Sequence, residues 1–168
     1  MGFINLREQR AAEKKQKILT AAIKEFTKGY EHASTDDIVE AAGVSKGLLF
    51  HNFGSKAKLF EATFKFAAEQ ITSGFIEHMD LSEPDILVRF RNFNLLKQKL
   101  IIKYPGLYEF LNVSAQNDNP EIKRMVSQQL QPISEKSRRY FRDGIDFSLF
   151  RPDIDAHLAI QVVEDTFD

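Results

Sequence analysis

The chain has 168 residues, a net charge of −1 at pH 7, 15 Phe, no Cys and no Trp. Without cysteine it has no disulfide framework and no thiolate metal site, and its four histidines are too scattered to show metal-ligand spacing. No apolar run reaches the about 18 residues that a membrane span requires, and the charged N-terminus is unlike a signal peptide. We therefore expect a cytoplasmic protein with no cofactor, metal or membrane partner.

The charge is unevenly distributed along the chain. Residues 1–58 carry 10 Lys and Arg against 7 Asp and Glu, whereas residues 59–168 carry 13 against 17. A basic amino-terminal third beside an acidic remainder is what a local phosphate-binding surface requires. The distribution favours nucleic acid as the partner of the first part of the chain.

The apolar spacing predicts a first helix over residues 6–28. Its early turns carry Arg10, Lys14, Lys15 and Lys17. Such a run is either a solvated helix face or, beside a DNA-binding motif, a set of flanking phosphate contacts.

The sequence pattern of residues 34–53 predicts two short helices joined by a turn that contains a glycine. Ser34 is a good N-cap, and Asp37 three residues later completes a capping box. Gly43 stands where the first of these helices must end in the left-handed conformation, which glycine adopts at low cost. Ser45 then caps a second helix over 46–53. This arrangement is a helix-turn-helix.

The outer face of the second short helix has an unusual composition. It carries Lys46, Gly47, Phe50 and His51, that is, a cation, a bare backbone and two flat rings. Such a set suits a groove lined by phosphates and base edges.

The remaining elements are also predicted to be helices. A long helix follows the Ser55 cap and reaches about Met79. The next has Ser82 or Glu83 as its cap and Pro84 in its first turn. A shorter helix covers 106–116, and Asn119 with Pro120 starts another that reaches about residue 144. We expect Pro132 to kink or break that helix near 128–132.

The last predicted helix begins at Asp153, which we take as its cap. No strand pattern, repeat or low-complexity segment is present, so the predicted fold class is all-α.

The stretch from 34 to 60 resembles the DNA-binding region of the TetR family of bacterial transcription regulators. The resemblance covers Ser34–Thr35, Ile38, Ala41 to Gly47, Leu49–Phe50, Phe53, Ser55–Lys56 and Leu59–Phe60. The chain departs from the family at three positions, where Tyr is usual for Phe50, His or Tyr is frequent for Asn52, and a small residue is usual for Val39.

The resemblance implies a repressor that a small effector releases from a palindromic operator in double-stranded DNA. Lys46 to Asn52 would enter the major groove, and the other contacts would position the head on the backbone, with Lys56 as the family's phosphate-contacting lysine. The implied DNA-binding residues are Thr35, Ser45, Lys46, Gly47, Phe50, His51, Asn52 and Lys56. The alternative is a helical ligand-binding or protein-interaction module that has lost DNA binding. Nothing indicates an enzyme.

Family members bind their effector between helices of the second domain, which implies an apolar or aromatic effector here. Any one of the many phenylalanines could instead be simple core. The candidate effector-binding residues are Phe64, Phe90, Phe93, Asn94, Tyr108, Phe110, Gln129 and Phe141.

The resemblance also implies two domains and a homodimer. We expect a three-helix DNA-binding head over 1–54 and an antiparallel helical effector-binding and dimerisation domain over 55–168. The last helix would present an apolar face formed by Leu158, Ile160, Val162, Val163 and Phe167. Since little chain is left to cover that face, we expect a chain that is incomplete at its C-terminus and pairs through this helix. The alternative is a monomer whose last helix folds back on its own domain.

Overall fold

The structure is a computed structural model that describes residues 6–165, the side chains at 163 and 164 excepted. These residues form helices and no β-strand, so the predicted all-α fold is confirmed. A 3₁₀ turn at Phe147–Leu149 was not predicted. The α-helices, in chain order, are α1 (Leu6–Phe26), α2 (Thr35–Ala42), α3 (Lys46–Phe53), α4 (Lys56–Ile76), α5 (Ile86–Lys103), α6 (Pro105–Ala115), α7 (Pro120–Arg142) and α8 (Ala156–Asp165).

The chain divides into two compact units. The head unit comprises the residues up to Gln70 together with Tyr104–Ser127, and the body unit comprises Ile71–Lys103 and the residues from Gln128 onward. The helix-turn-helix lies in the head unit, with α6 and the first part of α7. A domain boundary at residue 54 stays a prediction.

Aromatic side chains form the core of the head unit. Phe26 of α1, Phe60 and Phe64 of α4 and Phe110 of α6 are each at most 1% exposed. Phe60 meets Phe26 edge to face at 4.9 Å between ring centroids and Phe110 at 5.6 Å. Because edge-to-face pairs add to the stabilisation from buried area, these rings tie α1, α4 and α6 together.

Local capping signals predicted the ends of the short helices correctly. The Ser34 hydroxyl accepts hydrogen bonds from the N–H groups of Asp36 and Asp37, and the Ser45 hydroxyl accepts one from Leu48. Gly43 has φ +64°, the left-handed conformation expected of it.

The predicted capping box is wrong in its second half. The N–H of Ser34 donates to Glu25 Oε1 of α1 at 3.0 Å, whereas the Asp37 carboxylate lies 3.5 Å from Lys28 Nζ. Glu25 of α1, and not Asp37, is therefore the acceptor for the Ser34 N–H.

Two of the predicted caps in the body unit are also wrong. The cap of α5 is Asp85, whose Oδ1 accepts from the N–H groups of residues 87 and 88, so Pro84 lies before the helix. The cap of α8 is Asp155 and not Asp153. In both places the carboxylate adjoining the first helical turn satisfies two free N–H groups at once.

Pro132 does not break α7, which is assigned as one helix from Pro120 to Arg142. A proline removes a single backbone hydrogen bond, and the turns on both sides keep theirs. A break at Pro132 is therefore wrong, and a kink there stays a prediction.

The core of the body unit contains a residue that the sequence placed on a dimer surface. Ile160 of α8 is 4% exposed and packs with Ile86, Tyr140, Phe141 and Ile145. Its predicted place on an uncovered face is wrong, because it lies on the inner side of α8.

Leu158 and Val162 of α8 are each 59% exposed, as predicted. The Val163 side chain and Phe167 lie outside the described residues.

Candidate nucleic-acid interface

A buried carboxylate fixes the start of the helix-turn-helix. Glu25 of α1 is 7% exposed, accepts from the Ser34 N–H and pairs with Lys28 at 2.7 Å. Burial acts to raise the pKa of Glu25, but the hydrogen bonds from Lys28 and Ser34 and the Lys28 charge hold it below the ordinary value. Glu25 therefore sets the position of α2 while it stays ionised.

The structure places the predicted DNA-reading face of α3 in the open. Lys46, Gly47, His51 and Asn52 are exposed, whereas Leu49 and Phe53 on the other side are buried. A Cβ atom added at Gly47 would meet only Ser45 Oγ, at 4.0 Å. The α3 backbone at Gly47 is thus accessible to a groove.

Lys46, the cation of this face, is paired within the head unit. Its Nζ lies 2.7 Å from Asp36 Oδ1 in the first turn of α2, and both side chains are more than half exposed. A phosphate that reached Lys46 would compete with this carboxylate.

Lys56 is held by a different set of contacts. Its Nζ donates to the Glu31 carbonyl at 3.4 Å and lies 4.9 Å from the centroid of the Tyr30 ring. Both partners precede α2. These contacts leave the cation half-buried and orient it without a counter-ion.

The remaining predicted DNA-binding residues are less alike. Thr35 and Phe50 are half-buried, while Ser45 is exposed and caps α3. Asn52 Nδ2 donates to the Leu48 carbonyl of its own helix at 2.8 Å, and the residue is exposed.

Three of the predicted flanking cations of α1 line grooves, and the fourth lies over an aromatic ring. Arg10 and Lys14 line a groove of about 730 Å³ with His51 and Asn52. Lys17 lines another groove with residues of α2, and Lys15 Nζ lies 5.9 Å from the Phe53 ring.

Sequence reasoning missed one member of the first groove, Arg7. It lies one turn before Arg10, and that i, i+3 spacing on a helix was the available signal. The groove therefore joins the start of α1 to the outer face of α3 with three cations.

The candidate effector-binding residues are divided between the two units. Phe64 and Phe110 pack against each other in the head-unit core, with ring centroids 6.2 Å apart. In the body unit Phe93 meets Phe141 at 5.4 Å and Phe75 at 4.9 Å. All of these rings belong to packed cores, and an effector role for them stays a prediction.

The polar candidates differ in what they offer. Asn94 donates to the Phe90 carbonyl of its own helix at 2.9 Å, and Gln129 is half-buried. The Tyr108 hydroxyl is buried without a hydrogen-bond partner, and burial raises its pKa to about 12. Of these three, Tyr108 is the one with an unused buried donor.

Among the described residues no group of three His, Cys, Asp or Glu side chains is arranged to hold a metal ion. None of the described helices is long and apolar enough to span a membrane.

Comparison with known proteins shows which family the helix-turn-helix region is similar to. A family model described as bacterial regulatory proteins of the tetR family matches residues 18–63. This range contains α2 and α3, the end of α1 and the start of α4. Residues 18–63 thus match the TetR family.

Similarity to known proteins extends beyond residues 18–63. It is 28% identical over 164 residues to the nucleoid occlusion factor SlmA of Vibrio atlanticus, covering 91% of this chain and 82% of that protein. It is 26% identical to the transcriptional repressor AcnR of Corynebacterium efficiens, covering 91% of this chain and 79% of that protein.

A solved structure shows the same fold. The transcriptional regulator FadR of Bacillus subtilis, in complex with stearoyl-CoA, superposes with a TM-score of 0.70 at 18% identity, covering 91% of this chain and 82% of that chain. The chain thus shares the fold of this regulator.

Proposed function

We propose that this protein is a homodimeric repressor that binds a palindromic operator in the cytoplasm and is released by a small apolar effector. The observation that carries the DNA-binding part is the outer face of α3, where Lys46, Gly47 and His51 are exposed and Gly47 leaves room for close approach. A helix that enters the major groove reads base edges through exposed cationic and polar side chains such as Lys46 and His51.

Phosphate contacts would come from residues around α3. Thr35, Ser45, Phe50 and Lys56 would position the head on the backbone, and Arg10 and Lys14 would extend the contact along the groove that they share with His51. Because phosphate contacts dominate affinity, binding should weaken steeply with salt.

Two exposed apolar side chains of α8 support the dimer. Leu158 and Val162 lie one helical turn apart, each 59% exposed. A single head reads one half-site, whereas a twofold dimer reads a palindrome whose half-sites are about 34 Å apart.

Effector binding is supported by the family and by the FadR structure with stearoyl-CoA. An effector that binds the free protein more tightly than the DNA-bound protein shifts the population away from DNA. In the head unit, the buried Tyr108 hydroxyl, which has no hydrogen-bond partner among the described residues, is the candidate polar contact for an effector.

The test is selection of bound fragments from random duplex DNA by the intact protein. A palindromic consensus, whose affinity falls with rising salt, is the expected result. Failure to enrich any sequence would favour the alternative of a module that has lost DNA binding.

Nucleoid occlusion, the role that gives the Vibrio relatives their name, is the second candidate. Profiling transcripts after deletion of the gene separates the two. Changed transcript levels beside the selected sites support the repressor, and unchanged levels favour the second role.

A further inference from the structure

The body unit contains a groove of about 460 Å³ that the proposed repressor function does not use. Its residues come from the end of α4, the segment that follows α4, the last turns of α7 and the two residues after α7. They are Ile76, Met79, Leu81, Lys136, Arg139, Tyr140, Asp143 and Gly144. The volume lies within the range of small-molecule sites.

One side of this groove is apolar and uncovered. Ile76 is 60% exposed and Leu81 64% exposed, with Met79 between them in the chain. Large aliphatic side chains that share a concave surface at such exposure form a hydrophobic lining that a ligand can cover.

The other side carries two cations. Lys136 and Arg139 lie three residues apart on α7, so they share one helix face. Within residues 6–165 neither side chain has an ion pair or a hydrogen bond to another residue. Of the acidic residues, Asp143 alone is among those that line the groove, and it directly follows the end of α7.

A fully buried arginine holds the groove in shape. Arg89 of α5 is 0% exposed, and its guanidinium donates to the carbonyls of Leu81 at 2.9 Å, Asp143 at 2.7 Å and Tyr140. These three acceptors belong to residues that line the groove. Its walls are therefore fixed before any ligand arrives, which reduces the entropy lost on binding.

We propose that this groove binds a single-chain amphiphile with an anionic head, its acyl chain against Ile76, Met79 and Leu81 and its head beside Lys136 and Arg139. The apolar lining accounts for the chain and the two unpaired cations for the head. Asp143 repels an anion, so the head lies towards Lys136.

The experiment is calorimetric titration of the intact protein, without DNA, with dodecanoate, dodecyl phosphate and dodecanol. We expect both anions to bind one site per chain, and dodecanol to bind more weakly. The preference between dodecanoate and dodecyl phosphate tells whether the head is a carboxylate or a phosphate.

The double variant Lys136→Gln and Arg139→Gln should weaken binding of the anions about five- to tenfold and leave dodecanol unchanged, since partly exposed charge pairs contribute modestly. Ile76→Asn should weaken the binding of all three ligands. The matched control, Arg91→Gln with Lys97→Gln on α5, removes two cations outside the groove and should change nothing.

Three results would overturn the proposal: no binding of either anion, equal binding of dodecanol, or binding that the double variant leaves intact. Circular dichroism of each variant confirms that it is folded. Operator binding without ligand should be the same in the double variant and the wild type, so failure of this proposal is distinguishable from failure of the proposed repressor function.

Discussion

Lys46 Nζ lies 2.7 Å from Asp36 Oδ1, which means that the cation at the start of α3 is neutralised by the first turn of α2. Two surface groups more than half exposed form a weak pair, worth at most about 1 kcal/mol. The pair nevertheless lowers the positive potential where a phosphate would arrive.

Asp36→Asn should therefore strengthen DNA binding, by about two- to fivefold at low salt, because Lys46 is released and a negative charge is removed. Fluorescence anisotropy with the selected operator measures the change. Asp37→Asn is the matched control, since it removes the neighbouring carboxylate of the same helix turn but not the partner of Lys46. Equal gains in both variants would show that general charge, and not this pair, is responsible.

Lys56→Ala should weaken binding to every duplex and reduce the slope of log K against log salt by about 0.9, the amount expected for one lost phosphate contact. Tyr30 and the Glu31 carbonyl already orient this cation. Lys65→Ala, further along α4, where Lys65 pairs with Glu69, serves as the control. An unchanged slope for Lys56→Ala excludes its phosphate role.

Gly47→Leu should abolish specific DNA binding with little change in Tm. A Cβ atom at this exposed position would meet only Ser45 Oγ, at 4.0 Å, so we expect folding to tolerate the side chain and the DNA groove to exclude it. Gly43→Ala should show the opposite pattern and cost about 1–2 kcal/mol of stability, because Gly43 has φ +64°. Normal operator binding by Gly47→Leu would mean that this glycine has no part in the interface.

The stability of the head unit should fall in acid through Glu25. Because its pKa is lower in the folded than in the unfolded state, where it is near 4.5, the unfolded chain binds more protons at acid pH. The contribution is complete above that unfolded pKa and is lost as the pH falls through the folded one.

The test for Glu25 is the free energy of unfolding, measured by chemical denaturation from neutral pH down to pH values below the folded pKa of Glu25. Glu25→Gln should lose about 1–3 kcal/mol at neutral pH and less below the folded pKa. Glu40→Gln on α2 should follow the wild type at every pH. A constant difference between wild type and Glu25→Gln would contradict the assignment.

Arg89→Met should destabilise the body unit by about 3 kcal/mol or more, since it leaves several buried carbonyl groups without a donor. Arg91→Met, two residues along α5 and exposed, should lie within about 0.5 kcal/mol of wild type. Thermal unfolding of the two variants makes the comparison, and similar Tm values would refute the role given to Arg89.

Sequence patterns predicted the helix-turn-helix from neighbouring residues, although they missed the local caps Asp85 and Asp155, and they did not predict contacts with distant partners. Ser34, Gly43 and Ser45 act within one turn of the chain, and the helix-turn-helix was correctly predicted from them. Glu25 reaches the cap of α2 from nine residues away, and Arg89 reaches carbonyls 51 and 54 residues later. Such contacts depend on how helices pack, which a periodicity does not encode.

The candidate interface shows the same division. The exposure of Lys46, Gly47 and His51 was predicted from the period of α3, because a short helix with two buried residues leaves the opposite side free. The pairing of Lys46 with Asp36 was not predicted, since it depends on the angle between α2 and α3.

The contact between Phe60 and Phe110, with centroids 5.6 Å apart, bears on how regulators of this kind could be recombined. A designer who grafts residues 1–54 onto another body would leave Phe26 and the α1 surface without the α6 ring that covers them. A transplantable reading head must include Tyr104–Ser127 as a second, discontinuous piece, or the recipient must supply an equivalent aromatic side chain. Recombination at a single crossover would then yield functional hybrids only between parents whose α1 and α6 rings are compatible.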